Sequence, residues 1–143
     1  DDKVEYGLKA LWRDQDQPFR DLLAEREDIR RYRDAIARRP LAGTYKDRIQ
    51  LGRLVQQALQ AKREAEAHRI MERLRPLAVD ARVNAVFMDQ MVLNAAFLLL
   101  KGAEPAFEEA LQALDSECQN RVHFRLVGPS PPFNFVYIPI ARQ

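Results

Sequence analysis

Apolar and polar residues alternate from the start of the chain. Val4, Tyr6, Leu8, Ala10 and Trp12 share one parity, and Glu5, Gly7, Lys9 and Leu11 the other. A period of two predicts a strand over 4–12 with one buried face. Asp14-Gln15-Asp16-Gln17 breaks the pattern, and Pro18 suits the first turn of a helix capped by Asp16 or Gln17. From Phe19 to about Arg39 the apolar positions fall at helical spacing: Phe19, Leu22, Leu23, Ile29 and Ile36, with Arg26 and Arg33 interrupting. So thin a stripe suits one partner helix rather than burial on all sides. Pro40 and Gly43 mark a turn. A second periodic run follows from Tyr45 to Arg75, with Leu51, Leu54, Ala58, Ala61, Ala65 and His68 in one row. Val55, Leu59, Ile70, Met71 and Leu74 widen it toward the far end. Two long helices joined by a short turn predict an antiparallel helical hairpin over 18–75. The second helix's first half would pair with the first helix, and its richer second half would pack on a sheet.

Val79, Ala81, Val83, Ala85 and Phe87 alternate, which predicts a strand over 79–87. Met91 to Lys101 is apolar on both faces and reads as a central strand over 91–101, although periodicity alone also permits a buried helix. Gly102 and Pro105 break the chain. A helix over 105–118 follows, with Phe107, Ala110, Leu111, Leu114 and Cys118 as its core stripe and Glu104 as its cap. Glu108 and Glu109 favour its N-terminal end through the helix dipole. Val122, Phe124 and Leu126 alternate with His123 and Arg125, giving a last strand over 121–127. The expected fold is α+β: a ferredoxin-like split βαβ sheet with an inserted antiparallel helical hairpin and a C-terminal Pro/aromatic arm.

That arm, 128–143, opens Gly128-Pro129-Ser130-Pro131-Pro132 and continues through Phe133, Phe135 and Tyr137. Each proline fixes φ near −65° and pushes the preceding residue toward extended backbone. The arm is therefore stiff. It either folds back over the sheet edge or the hairpin, or presents Phe133, Phe135 and Tyr137 to a partner. The two roles are compatible if one aromatic points in and another out.

Composition narrows the function classes. The 143 residues suit one domain, 1–143, with 47% hydrophobic and 31% charged residues. The longest apolar run, Ala95 to Leu100, is too short to cross a bilayer, so no membrane role is expected. The chain lacks an apolar signal segment and an initiator Met and opens almost inside its first strand, so it is read as a fragment or a processed product. The single Cys118 lies on a core stripe and fits a reducing compartment. A net charge of +2 with Arg interleaved among acids reads as solvated helix faces. Nucleic acid is not expected, because the strand Val122 to Val127 offers His123 and Arg125 on its open face but no aromatic pair for base stacking. His68 and His123 have no ligand-spaced neighbours, so no metal is expected. Ser116 and Ser130 sit in no nucleophile elbow, no phosphate loop occurs, and no carboxylate pair is set for acid–base work. No enzyme and no cofactor are expected. The residues alone point to an interaction module, with a ferredoxin-like ligand-sensing regulatory domain as the alternative.

Five segments together resemble one family. Leu126-Val127-Gly128-Pro129-Ser130-Pro131-Pro132-Phe133-Asn134-Phe135-Val136 is similar to the C-terminal signature of the gas vesicle protein F/L family, G-P-W-P-P-[YF]-[SN]-F-V. Met91-Val92-Leu93-Asn94-Ala95-Ala96-Phe97-Leu98 resembles its M-x-x-N-A-A-F-L strand, and Val4-Glu5-Tyr6-Gly7-Leu8-Lys9 its E-x-G-V-K strand. Leu51-Gly52 and Leu77-Ala78 fall at matching intervals. Ser130 stands where the family usually has Trp. The resemblance implies a non-enzymatic accessory protein of gas vesicle formation, cytoplasmic and vesicle-associated. It implies the hydrophobic shell protein and other accessory proteins as partners, and a further N-terminal domain beyond this chain. An apolar groove formed by hairpin and arm would shield the shell protein's exposed surface. Its expected contacts are Phe133, Phe135, Tyr137, Pro131, Pro132 and Ile29.

Overall fold

A computed structural model describes residues 2–135. Its elements in chain order are strand β1 (Lys3–Trp12), helices α1 (Gln17–Glu25), α2 (Glu27–Ala37) and α3 (Tyr45–Leu74), strands β2 (Asp80–Val83) and β3 (Met91–Leu100), helix α4 (Glu104–Cys118) and strand β4 (Val122–Ser130). The chain divides into two compact units, one of Asp1–Arg13 with Ala67–Gln143 and one of Asp14–Glu66. The long helix α3 begins in the second unit and ends in the first.

The first unit carries a four-stranded antiparallel sheet in the order β2-β3-β1-β4. The run that periodicity left open between strand and helix is β3, bonded on both sides by β1 and β2. One face of the sheet is apolar: Tyr6, Leu8 and Ala10 lie across from Phe97, Ala95 and Leu93. Ile70, Met71 and Leu74 of α3 join them in one core with Phe107, Leu111, Leu114 and Cys118 of α4. Phe107 is 0% exposed and lies between two rings, 5.6 Å from Tyr6 and 5.1 Å from Phe97. Arg73 of α3 pairs with Glu117 of α4 at 3.0 Å.

The strand expected over 79–87 stops at Val83. Asn84 donates to the Asn94 carbonyl at 2.7 Å, and the chain then leaves the sheet. The reason lies in Phe87. In a continued strand it would share the helix-covered face with Ala81. Instead its ring takes the Lys9 ammonium at 5.7 Å on the opposite face, which a regular strand could not reach.

The second unit holds α1, α2 and the first part of α3. The single helix expected over 19–39 is two. Arg26 leaves helical backbone at φ −106°, ψ 89°, because Glu25-Arg26-Glu27-Asp28 offers nothing apolar to hold that turn against a neighbour. Glu27 and Asp28 then open α2 as acidic first-turn residues. Leu22, Ile29 and Ile36 are buried. Glu25 pairs with Lys62 at 2.6 Å, and Tyr32 donates to Asp47 at 2.8 Å. Early residues thus meet late ones, as in an antiparallel hairpin. The Arg26 guanidinium meets Asp28 at 2.8 and 2.9 Å, and this hydrogen bond holds the carboxyl down at about 2. A lowered carboxyl favours the folded state above its ordinary pKa of 3.8 and loses that contribution as pH falls through about 2. A carboxyl NMR titration should place Asp28 near 2 and return it toward 3.8 in Arg26→Gln; an unmoved midpoint would refute the pairing.

Candidate functional site

The chain's most individual geometry is at the end of β4. The expected strand end at Val127 is passed, and pairing continues to Ser130. Gly7 faces Val127 while Glu5 faces Ser130, so β4 fits one extra residue beside β1. Such a bulge turns the strand. Gly128 makes it possible with φ +126°. A Cβ there would come within 2.7 Å of the Glu5 carbonyl oxygen, so only glycine fits both the backbone angle and the space.

Beyond the bulge, residues 131–135 fold back onto β1. Pro131 and Pro132 lead into a short 3-10 turn, Phe133–Phe135, in which Phe133 and Phe135 donate to the Pro131 and Pro132 carbonyls at 2.8 and 3.1 Å. The anchor is Glu5, 5% exposed. Its carboxylate accepts the Asn134 backbone N–H at 2.7 Å and, through its other oxygen, the Asn134 side-chain amide. Ser130 donates to the Glu5 carbonyl at 3.4 Å. Phe135 is 8% exposed, with the Arg82 guanidinium 5.0 Å from its ring centroid. Phe133 is 73% exposed. The two aromatics divide as anchor and surface.

The other expected contact residues fall differently. Pro131 is exposed and Pro132 half-buried. Ile29 is 1% exposed, packed inside the second unit rather than on its surface, because the sparse α2 stripe has only Ile29 and Ile36 to bury. Tyr137 lies outside the described residues. Sequence reasoning missed Glu5 and Asn134. Glu5 stands at an alternating polar position, which reads as solvent-facing until the arm covers it. Nothing in Phe133-Asn134-Phe135 singles out the asparagine as the anchor.

A second feature is a groove of about 540 Å³ between α4 and β4, bordered by Arg13, Leu111, Asp115, His123, Phe124 and Leu126. Beside it the Tyr6 hydroxyl donates to Glu104 at 2.5 Å and lies 3.2 Å from Glu108. Burial, with these two carboxylates, pushes the phenol well above its ordinary range. Tyr6 thus acts as a held donor that ties α4 to β1. Among the described residues no group of three or more His, Cys, Asp or Glu could hold a metal ion, and no helix is long and apolar enough to cross a membrane.

The family model for gas vesicle synthesis protein GvpL/GvpF matches residues 1–137. The chain belongs to this gas vesicle protein family. It is 30% identical over 136 residues to gas vesicle protein F of Streptomyces sp. (strain CB03234), covering 95% of this chain and 56% of that protein. It is 25% identical over 136 residues to gas vesicle protein F of Dolichospermum flosaquae, covering 95% of this chain and 54% of that protein. The crystal structure of GvpF from Anabaena sp. PCC7120 superposes with a TM-score of 0.88 at 22% identity, over 97% of this chain and 56% of that one. The GvpF structure from Microcystis aeruginosa gives 0.79 at 21% identity, over 96% and 55%. These likenesses establish a mixed helix–strand fold with a four-stranded antiparallel sheet. The chain spans about half the length of the GvpF relatives it matches.

Proposed function

We propose that this chain is a non-enzymatic accessory protein of gas vesicle assembly that binds the hydrophobic shell protein through its terminal arm. Membership of the GvpL/GvpF family supports the setting. The exposed Phe133 beside the Glu5-anchored Asn134 supports the site. Neighbouring prolines and the buried Phe135 hold the phenyl ring in place before any partner arrives, so little conformational entropy is lost on binding. Pro131 and Pro132 are the proposed flanking contacts. Other accessory proteins of the vesicle are the further proposed partners, and the proposed location is cytoplasmic and vesicle-associated. We also read the sheet as ferredoxin-like, since its strand order is that of a split βαβ pair of units.

A pull-down of purified shell protein tests the site. An aromatic at the centre of an interface is typically worth at least about 2 kcal/mol, or about thirtyfold in affinity. Phe133→Ala should therefore lose retention by about that factor without change in melting temperature. Undiminished capture would move the contact elsewhere. The α4–β4 groove favours a second reading, a ligand-sensing domain. A metabolite thermal-shift screen discriminates, because a ligand at a hundred times its Kd adds about 2.7 kcal/mol.

A further inference from the structure

The sheet face opposite α4 carries an arrangement that folding alone does not favour. Lys9 and Arg125 lie directly across from each other in the β1–β4 register, and both are exposed. Like charges at directly opposed positions destabilise a sheet. No acid relieves them: neither residue has an ion pair among the described residues, and the Lys9 ammonium rests on the Phe87 ring instead. Arg82 of β2 lies on the same face by register. Among the described strand residues, the acids of this face are Glu5, engaged by Asn134, and Asp80, whose carboxylate accepts the Ala81 N–H at 2.8 Å. Exposed apolar surface adjoins the cations: Phe87 at 64% and Val127 at 66%.

We propose that this face docks an acidic polypeptide segment, its carboxylates over Lys9 and Arg125 and its apolar side chains against Phe87 and Val127. The charge selects the partner's sign. The chemistry of the face selects polypeptide over nucleic acid. The positions where a base would stack on the two central strands are Gly7 and Lys9 on β1 and Asn94 and Ala96 on β3, none of them aromatic. The proposal does not rest on the shell-protein reading, and failure of the Phe133 test leaves it standing.

Arg125→Glu separates binding from folding. It converts the opposed cations into an opposite-charge pair with Lys9, so the melting temperature should rise by roughly 1–4 °C. Affinity for an acidic segment should fall at least about tenfold as repulsion replaces attraction. The probe is a short labelled peptide alternating Asp or Glu with Val or Leu, measured by fluorescence anisotropy at low and high salt. Its lysine counterpart and an oligouridylate of equal length serve as comparisons. The expected result is salt-sensitive binding of the acidic peptide alone, lost in a variant that is more stable than the parent. Equal binding by Arg125→Glu, or no binding by the parent, would overturn the proposal. Tighter binding of the oligouridylate would replace it with a nucleic-acid surface.

Discussion

Replacing Phe107 with alanine should destabilise the sheet-bearing unit by about 3–5 kcal/mol, the usual cost of deleting a buried aromatic core. The ring is wholly buried and touches Tyr6 on β1 and Phe97 on β3, the two central strands. Its loss opens a cavity that neither strand can close without breaking its pairing. Nor can α4 settle inward freely, since Tyr6 is bound to Glu104 and Glu108 on the flanking turns. Trp12, the chain's one tryptophan, is packed against this core. Urea unfolding followed by its fluorescence therefore reads the effect directly. A cost below about 1 kcal/mol would show that the helix is not clamped by this ring.

The second large effect is expected at Gly128. Valine there must adopt φ +126°, a conformation that costs a non-glycine residue about 1–3 kcal/mol. It would also bring its Cβ within 2.7 Å of the Glu5 carbonyl and 3.2 Å of the Tyr6 ring. The way out is to unpair the end of β4, which takes the Asn134–Glu5 anchor with it. Gly128→Val should thus both lower stability and loosen the arm, seen as faster hydrogen exchange at Asn134 and Phe135. Gly52 supplies the contrast. It lies in α3, and a methyl group added there would meet nothing within 4 Å. Gly52→Ala should gain about 0.5–1 kcal/mol from helix propensity. Equal effects at the two sites would refute the assigned role of Gly128.

The regular elements were legible because their apolar periods are strong. Val4 to Trp12 and Phe107 to Cys118 each show one period over their whole length, and both became the expected strand and helix. The boundaries that moved did so for tertiary reasons. Phe87 alternates with Ala85 as a strand residue would, yet it packs over Lys9, a residue far away in sequence that no local pattern contains. Arg26 breaks a helix whose charges alone gave no break, its backbone leaving the helical region at φ −106°, ψ 89°. Gly128 read as a strand terminator, and its real partner is the Glu5 carbonyl on β1.

By itself, the sequence determined the alternation of the strands, the apolar stripe of α4 and the resemblance to the gas vesicle F/L family. These depend on local periodicity and on motif spacing, both carried within short stretches of chain. Only the tertiary structure decided that Glu5 is buried, that Phe135 anchors while Phe133 stays exposed, and that Lys9 and Arg125 lie across from each other. Each of those depends on strand register and on residues more than a hundred positions apart, where one step of slippage would turn every side chain to the opposite face.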